Sequence, residues 1–241
     1  MVPIDLYKGM SDFYNTFVQR NRDYKAIATE LVEIVGDRKD ILDVGIGTGL
    51  LVEQILRLRS DIQISGVDTS PSLLALAREC LGDRVDLHCQ DVVDMHLNKT
   101  FDLAYSRGGA WAFVNDGDSV LLASHILDLE AIQQSFERVA THLRDGGLLI
   151  IISSNANHSK CEDVDEEVSL HRSVSKDWID GEQYLSLEYA CHKGGSLIGE
   201  QKLRMRLLDI DRVEEMLNSA KLRSIGVRDN QYYIYQKEVS Q

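Results

Sequence analysis

The chain has 241 residues, 44% of them hydrophobic, and a formal net charge of −13. That length and apolar content suit one α/β domain with a sizeable core and exclude a disordered chain. Its negative field repels phosphate backbones, so nucleic acid is not an expected partner.

Residues 1–38 precede the first strand and are rich in aromatics: Tyr7, Phe13, Tyr14, Phe17 and Tyr24. The opening Met-Val-Pro-Ile-Asp-Leu-Tyr has neither a basic n-region nor an apolar h-region, and no apolar run approaches the roughly 18 residues of a membrane span. A cytoplasmic location with no membrane partner is expected. Cys80, Cys89, Cys161 and Cys191 show no Cys-x-x-Cys spacing, and there is no His-Glu-x-x-His, so no metal is expected. From Tyr24 to Val35, helical spacing brings Ile27, Leu31 and Ile34 or Val35 to one face.

Residues 41–49, Ile-Leu-Asp-Val-Gly-Ile-Gly-Thr-Gly, carry the strongest signal. An apolar strand ends in an acid, Asp43; Gly45, Gly47 and Gly49 follow around Ile46, and an amphipathic helix begins with Leu50, Leu51, Ile55 and Leu58. Glycines there permit positive φ and let a ligand lie on the main chain, while the helix start offers unpaired N–H groups and a partial positive charge. The turn is a cofactor cradle. It is not the dinucleotide fingerprint, because position 50 is Leu50, and it lacks the Gly-Lys-Ser/Thr ending of a P-loop.

A second strand, residues 62–68, ends in Asp68, 19 residues after Gly49. An acid at that distance suits a ribose diol, since one carboxylate accepts from two hydroxyls. Thr69 follows it, and Ser70-Pro71 read as cap and first turn of a helix. Strand three, Val85 to His88, leads to Gln90-Asp91-Val92; strand four is Phe101 to Ser106; strand five follows the turn Arg144-Asp145-Gly146-Gly147 and runs to Ile152.

These elements in this order over residues 41–153 resemble the class I S-adenosylmethionine (SAM) dependent methyltransferases. The resemblance implies a Rossmann-like seven-stranded sheet with its last strand antiparallel, an N-terminal helical lid and SAM as cofactor. It implies a cofactor site of Asp43, Gly45, Ile46, Gly47, Gly49, Asp68, Thr69, Gln90, Asp91, Val92 and Ser106, with Asp91 on the adenine amino group and Val92 on the ring. It also implies that the N-terminal segment folds over the cofactor, bringing Tyr14, Arg22 and Tyr24 near its methionine end.

After strand four comes Arg107-Gly108-Gly109-Ala110-Trp111-Ala112-Phe113-Val114, then Asn115-Asp116-Gly117-Asp118, a hairpin signal between two alternating runs. Arg107, Trp111 and His125 leave the carboxyl edge of the sheet and are candidate acceptor contacts. A helix from about Glu130 to Leu143 covers the sheet. His158 lies six residues past strand five and is the candidate base, being neutral at pH 7 with an ordinary pKa of about 6.5. The acidic run Glu162 to Glu167 reads as a solvated loop.

Three extended segments follow, Val168 to Trp178, Tyr184 to His192 and Leu197 to Leu208, with Lys193-Gly194-Gly195-Ser196 turning the second into the third. They predict a small inserted antiparallel sheet. A helix from Asp211 to Ala220 and two strands, Leu222 to Val227 and Tyr232 to Gln236, close the fold. The expected organisation is one domain: lid 1–38, SAM-binding core 39–153, inserted capping sheet 154–208 and final αββ unit 209–241. That layout is similar to methyltransferases of glycine and of amino sugars, and so implies a small-molecule acceptor methylated on nitrogen or oxygen. Two other classes stay open: a protein or peptide methyltransferase, and a SAM-binding protein that transfers no methyl group.

Overall fold

The computed structural model describes residues 23–117, 119–154, 160–163 and 168–239. Helix α1 (Tyr24–Val35) begins where the Asp23 carboxylate accepts from the Ala26 N–H at 2.9 Å. Strand β1 (Asp40–Val44) leads into α2 (Leu50–Leu58), and β2 (Gln63–Asp68) into α3 (Pro71–Leu81). Ser70 caps α3 by accepting from the Leu73 N–H at 3.2 Å, and Pro71 takes the first turn, where its missing donor costs nothing. Strands β3 (Val85–Cys89) and β4 (Phe101–Ser106) follow.

The chain then makes the hairpin β5 (Trp111–Asp116) and β6 (Ser119–Ser124), helix α4 (Leu129–His142) and the long strand β7 (Leu143–Ile152). Four further strands, β8 (Lys160–Asp163), β9 (Val168–Ile179), β10 (Glu182–Lys193) and β11 (Ser196–Asp209), precede α5 (Ile210–Ser219), β12 (Leu222–Arg228) and β13 (Tyr232–Lys237).

The main sheet has seven strands in the order β12-β13-β7-β4-β1-β2-β3. The five from β7 to β3 are parallel, and β13 is antiparallel to both its neighbours. Its central strands β2, β1, β4 and β7 are apolar on both faces. In β7, Leu148, Ile150 and Ile152 join the cluster under α1, α2 and α3, while Leu149 and Ile151 join the one under α4 and α5. Continuous apolar strands are what a sheet covered on both faces requires.

The chain moves outward from β1 to β3, then returns to place β4 on the other side of β1. The crevice at that reversal, beyond the carboxyl ends of β1 and β4, is where open α/β sheets hold ligands.

The second sheet has six strands in the order β5-β6-β11-β10-β9-β8. Sequence reading separates the 111–124 hairpin from the later insert. In the structure β6 pairs with β11 (Leu122 opposite Leu208), so the two segments build one sheet. Residues 162–163 also depart from the expected solvated loop: they pair in β8 against β9, Glu162 opposite Leu170. The strands of the insert meet at tight turns, Asp180-Gly181 and Gly194-Gly195, all four residues with positive φ.

Phe113 and Leu122 of the hairpin pack into the main core. At the other end of the sheet Leu170 and Cys191 pack on Leu50 and Tyr24. The second sheet therefore leans over the start of α2.

Candidate active site

The turn after β1 is tied to β2 by two backbone bonds, Gly45 N–H and Ile46 N–H both donating to the Val67 carbonyl at 2.7 and 3.1 Å. Asp68, at the tip of β2, accepts from the Gly47 N–H at 2.8 Å with one carboxylate oxygen and from the Ser70 N–H at 2.9 Å with the other. One carboxylate thus joins the glycine turn to the cap of α3.

Gly45, Gly47 and Gly49 all have positive φ, but their surroundings differ. A Cβ on Gly47 would meet nothing within 4 Å, so the main chain there is open to a ligand. A Cβ on Gly49 would come 2.6 Å from Leu81 Cδ1, so Gly49 serves the packing of α2 on α3. A Cβ on Gly45 would come 2.2 Å from Gly109 Cα, in the loop that follows β4.

That loop is pinned from within. Ser106, fully buried, donates through Oγ to the Trp111 carbonyl at 3.0 Å and accepts from the Trp111 N–H at 3.3 Å; Gly108 N–H also donates to that carbonyl, at 3.0 Å. The His125 N–H donates to the Ala110 carbonyl at 3.1 Å, and its ring bonds the Gly108 backbone.

A cavity opens over these pieces. It is walled by Tyr24, Asp43, Gly45, Ile46, Gly47, Asp68, Thr69, Arg107 and His125 among the residues singled out from sequence. Thr48, Leu50, Leu51, Leu73, Tyr105, Gly108 and Gly109 complete the wall. The Gly108-Gly109 doublet was a visible sign of a close approach. Tyr105 carried no local signal: it faces Asp43 only because the register of β1 and β4 sets them opposite.

The remaining sequence-derived residues stand elsewhere. Gln90, Asp91 and Val92 form the turn beyond β3: Gln90 accepts from the His96 N–H at 2.8 Å, Asp91 from the Val93 N–H at 3.0 Å, and Val92 is in the core. The Gln90 N–H donates to the Asp68 carbonyl at 3.1 Å, which sets this turn beside the cavity. Trp111, expected as an acceptor contact, is instead a core residue with no exposed surface, its ring 4.8 Å from that of Phe136. The strand alternation of β5 points it inward. Tyr14, Arg22 and His158 lie outside the described residues.

The electrostatics are uneven. Asp43 is 4% exposed and accepts from the Tyr105 hydroxyl at 2.6 Å. Burial pushes its carboxyl up to about 7, the Asp68 charge adds to the rise, and the Tyr105 bond and Arg107 charge oppose it. Burial, with the Asp43 charge and bond, also holds the Tyr105 hydroxyl well above its usual value, so it stays a donor. The Arg107 guanidinium lies 5.4 Å from the centre of the Tyr24 ring, a cation–π distance. Burial lowers the His125 pKa, against its bond to the Gly108 backbone, so the ring is neutral at pH 7.

Residues 41–147 match the family model described as a methyltransferase domain. The chain is thus similar to methyltransferase domains over that segment. Its core is 32% identical, over 101 residues, to a malonyl-[acyl-carrier protein] O-methyltransferase from Acetivibrio thermocellus, a match covering 40% of this chain and 36% of that protein. The chain thus matches about a third of that relative's length.

Solved methyltransferases share the fold of the whole domain. A SAM-dependent methyltransferase from Clostridium acetobutylicum superposes with a TM-score of 0.70 at 19% identity, covering 96% of this chain and 99% of that one. An amino pentose methyltransferase from Micromonospora echinaspora gives 0.69 at 16% identity, covering 93% and 96%. The chain therefore shares its overall fold with solved methyltransferases although the sequences have diverged.

Proposed function

We propose that this chain binds SAM in the cavity over Gly45 and Gly47 and transfers its methyl group to nitrogen or oxygen of a small-molecule acceptor. The observation that carries the reading is the pair of carboxyls, Asp43 and Asp68, in one cavity whose floor is bare glycine backbone. Two carboxyls face one guanidinium, Arg107, on the cavity wall, and the Asp68 charge adds to the burial that raises the Asp43 pKa, so a cationic ligand with a ribose suits the site. Bound SAM supplies a methyl group on a sulfonium, already activated toward a nucleophile.

The residues then divide the work. Asp68 accepts from ribose hydroxyls, and the Gly45–Gly47 backbone with the start of α2 forms the floor. Tyr24 and Leu50, packed under Leu170 and Cys191 of the second sheet, close the cavity and exclude water. Orienting the acceptor and keeping it unprotonated are the main tasks left to the protein. The neutral His125 ring, on the cavity wall, takes up the acceptor's proton. His158, past strand five, is a second candidate for that role. In the same reading residues 1–38 act as the lid and residues 154–208 as the roof. The names of the relatives give both an O-methyltransferase and a methyltransferase of an amino sugar, in keeping with an acceptor atom that is oxygen or nitrogen. Nothing in this use of the fold needs nucleic acid, and among the described residues no helix is long and apolar enough to cross a membrane.

The test is calorimetry of SAM with wild type and Asp68→Ala, followed by labelled SAM with pools of small amines, hydroxy acids and peptides. Asp68→Ala should weaken SAM by about 1–3 kcal/mol, the range for a charge-assisted hydrogen bond. Equal affinity in the two proteins, or labelling of peptides alone, overturns the assignment.

A further inference from the structure

Asp43 is a carboxyl enclosed on the wall of the cofactor cavity, near the end of β1. The hydrogen bond it accepts comes from a neutral hydroxyl, Tyr105 Oη, at 2.6 Å. The titratable groups around it are Tyr105 from β4, Asp68 from β2 and Arg107 from the loop after β4. Tyr24 of α1 and His125 after β6 stand on the same wall, and the parts of α2 and α3 that reach the cavity are leucines.

A buried carboxylate needs a cation close by; without one it holds its proton instead. Here one guanidinium faces two carboxyls, and at Asp43 burial together with the Asp68 charge outweighs it. A ligand with net positive charge reverses that balance. SAM is such a ligand and its demethylated product, S-adenosylhomocysteine, is not. The methionine end of either molecule is a zwitterion at neutral pH, so its charges cancel. The sulfonium is the charge that SAM carries in excess. One carbon joins it to the ribose, which in the reading above lies on Asp68, close enough to Asp43 to act on it through its charge.

We infer that Asp43 releases its proton when the sulfonium enters, so that the site holds SAM more tightly than S-adenosylhomocysteine by a margin that widens with pH. The inference rests on the methyltransferase reading and adds the means by which substrate and product are told apart. Binding SAM turns the carboxyl into a carboxylate and frees its proton to solvent. In methyl transfer the C–S bond breaks with its electron pair left on sulfur, and the acceptor's bond to the methyl carbon forms. The sulfur is then a neutral thioether, Asp43 regains a proton from solvent, and the product loses its counter-charge. Tyr105 donates to both forms and more strongly to the carboxylate. The sign follows from linkage: a ligand that expels a proton binds more tightly as pH rises, until the free site is itself ionised. For Asp43 that ceiling is its own raised pKa, about 7.

The test is calorimetry of the full chain with SAM and with S-adenosylhomocysteine, in buffers of different ionisation enthalpy, which counts the protons exchanged. At pH 6 SAM should release most of a proton and S-adenosylhomocysteine none. From pH 5.5 to 7 SAM affinity should rise about tenfold while that of the product changes little. Asp43→Asn should abolish both the release and the rise, and His125→Gln should keep them. Tyr105→Phe leaves the carboxylate without its donor and should carry the rise to higher pH. Binding of S-adenosylhomocysteine shows that each variant is folded. Should Asp43→Asn not fold, the Tyr105→Phe shift stands in for it, and absence of that shift overturns the inference. Failure of wild type to bind either molecule overturns the methyltransferase reading, and this inference with it. With binding intact, no proton released by SAM, equal release by S-adenosylhomocysteine, or release that survives in Asp43→Asn overturns the inference alone.

Discussion

Gly45 and Gly109 lie backbone against backbone: a Cβ on either would come 2.2 Å from the other's Cα. One belongs to the turn after β1 and the other to the loop after β4, so this contact closes the crevice where the strand order reverses. Gly45 also has a φ of 88°, whereas the neighbouring Gly108, at 84°, faces open space.

Alanine at these three positions should therefore rank in a definite order. Gly108→Ala carries only left-handed strain, about 1–2 kcal/mol. Gly109→Ala must push two backbones apart, an overpacking cost of about 1–3 kcal/mol. Gly45→Ala carries both and should lose about 2–5 kcal/mol. Urea melts give the ranking, and SAM affinity should fall for Gly45→Ala and Gly109→Ala but hold for Gly108→Ala. A Gly109→Ala protein as stable and as tight as wild type would show that the contact is dispensable.

Asp43 gives a pH signature. Its folded pKa of about 7 exceeds the ordinary 3.8, because burial and the Asp68 charge outweigh the Tyr105 bond and Arg107. A raised carboxyl favours the protonated native state, so its contribution is complete below pH 3.8 and is lost as pH rises toward 7. Asp43→Asn keeps an acceptor for Tyr105 and removes the titration. Relative to wild type the variant should gain stability between pH 4 and 7, by an amount on the order of a few kcal/mol at 1.36 kcal/mol per pKa unit. Denaturant midpoints measured from pH 4 to 8 follow the difference, and parallel curves for the two proteins would contradict the assignment.

His125 should govern turnover. Burial lowers its pKa below the ordinary 6.5, so the neutral ring is present across the physiological range and is lost only as pH falls through that lowered value. The acid limb of turnover should accordingly lie below pH 6.5. His125→Ala should cut turnover by about 10²-fold or more, the lower end for a general base, with little change in SAM affinity. An acceptor found by the labelled-SAM screen provides the assay. A variant with full turnover would move the base elsewhere.

Asp102 supplies the contrast from the opposite edge of the sheet. Its carboxylate accepts from the Lys39 and Asp40 N–H groups, both at 3.0 Å, and pairs with Arg144. Burial alone would raise its pKa, but these backbone bonds and Arg144 together lower it, so its stabilising effect is present above pH 3.8 and fades below. Asp102→Ala should cost about 2 kcal/mol of stability, the scale of losing bonds to a charged group, and leave SAM affinity unchanged. Weakened SAM binding would mean that the two edges are coupled.

The sequence by itself determined the elements that short-range patterns encode: the strand, acid and glycine turn at 41–49, the acid at Asp68, the cap at Ser70 and the alternation of 197–208. Each is specified within a few turns of chain, because the φ a glycine permits, the period of a strand and the reach of a cap are local. Tertiary structure alone decided the rest. Asp43 meets Tyr105 across 62 residues, Gly45 meets Gly109, and Trp111 turns into the core. The hairpin at 111–124 joins a sheet whose other strands begin at residue 160, and the pairing of β9, β10 and β11 places Arg172, Tyr189 and Gln201 on one row. These relations depend on the register between distant strands. A shift of one residue would send each side chain to the opposite face, and that register is set by how both sheets bury their apolar rows together.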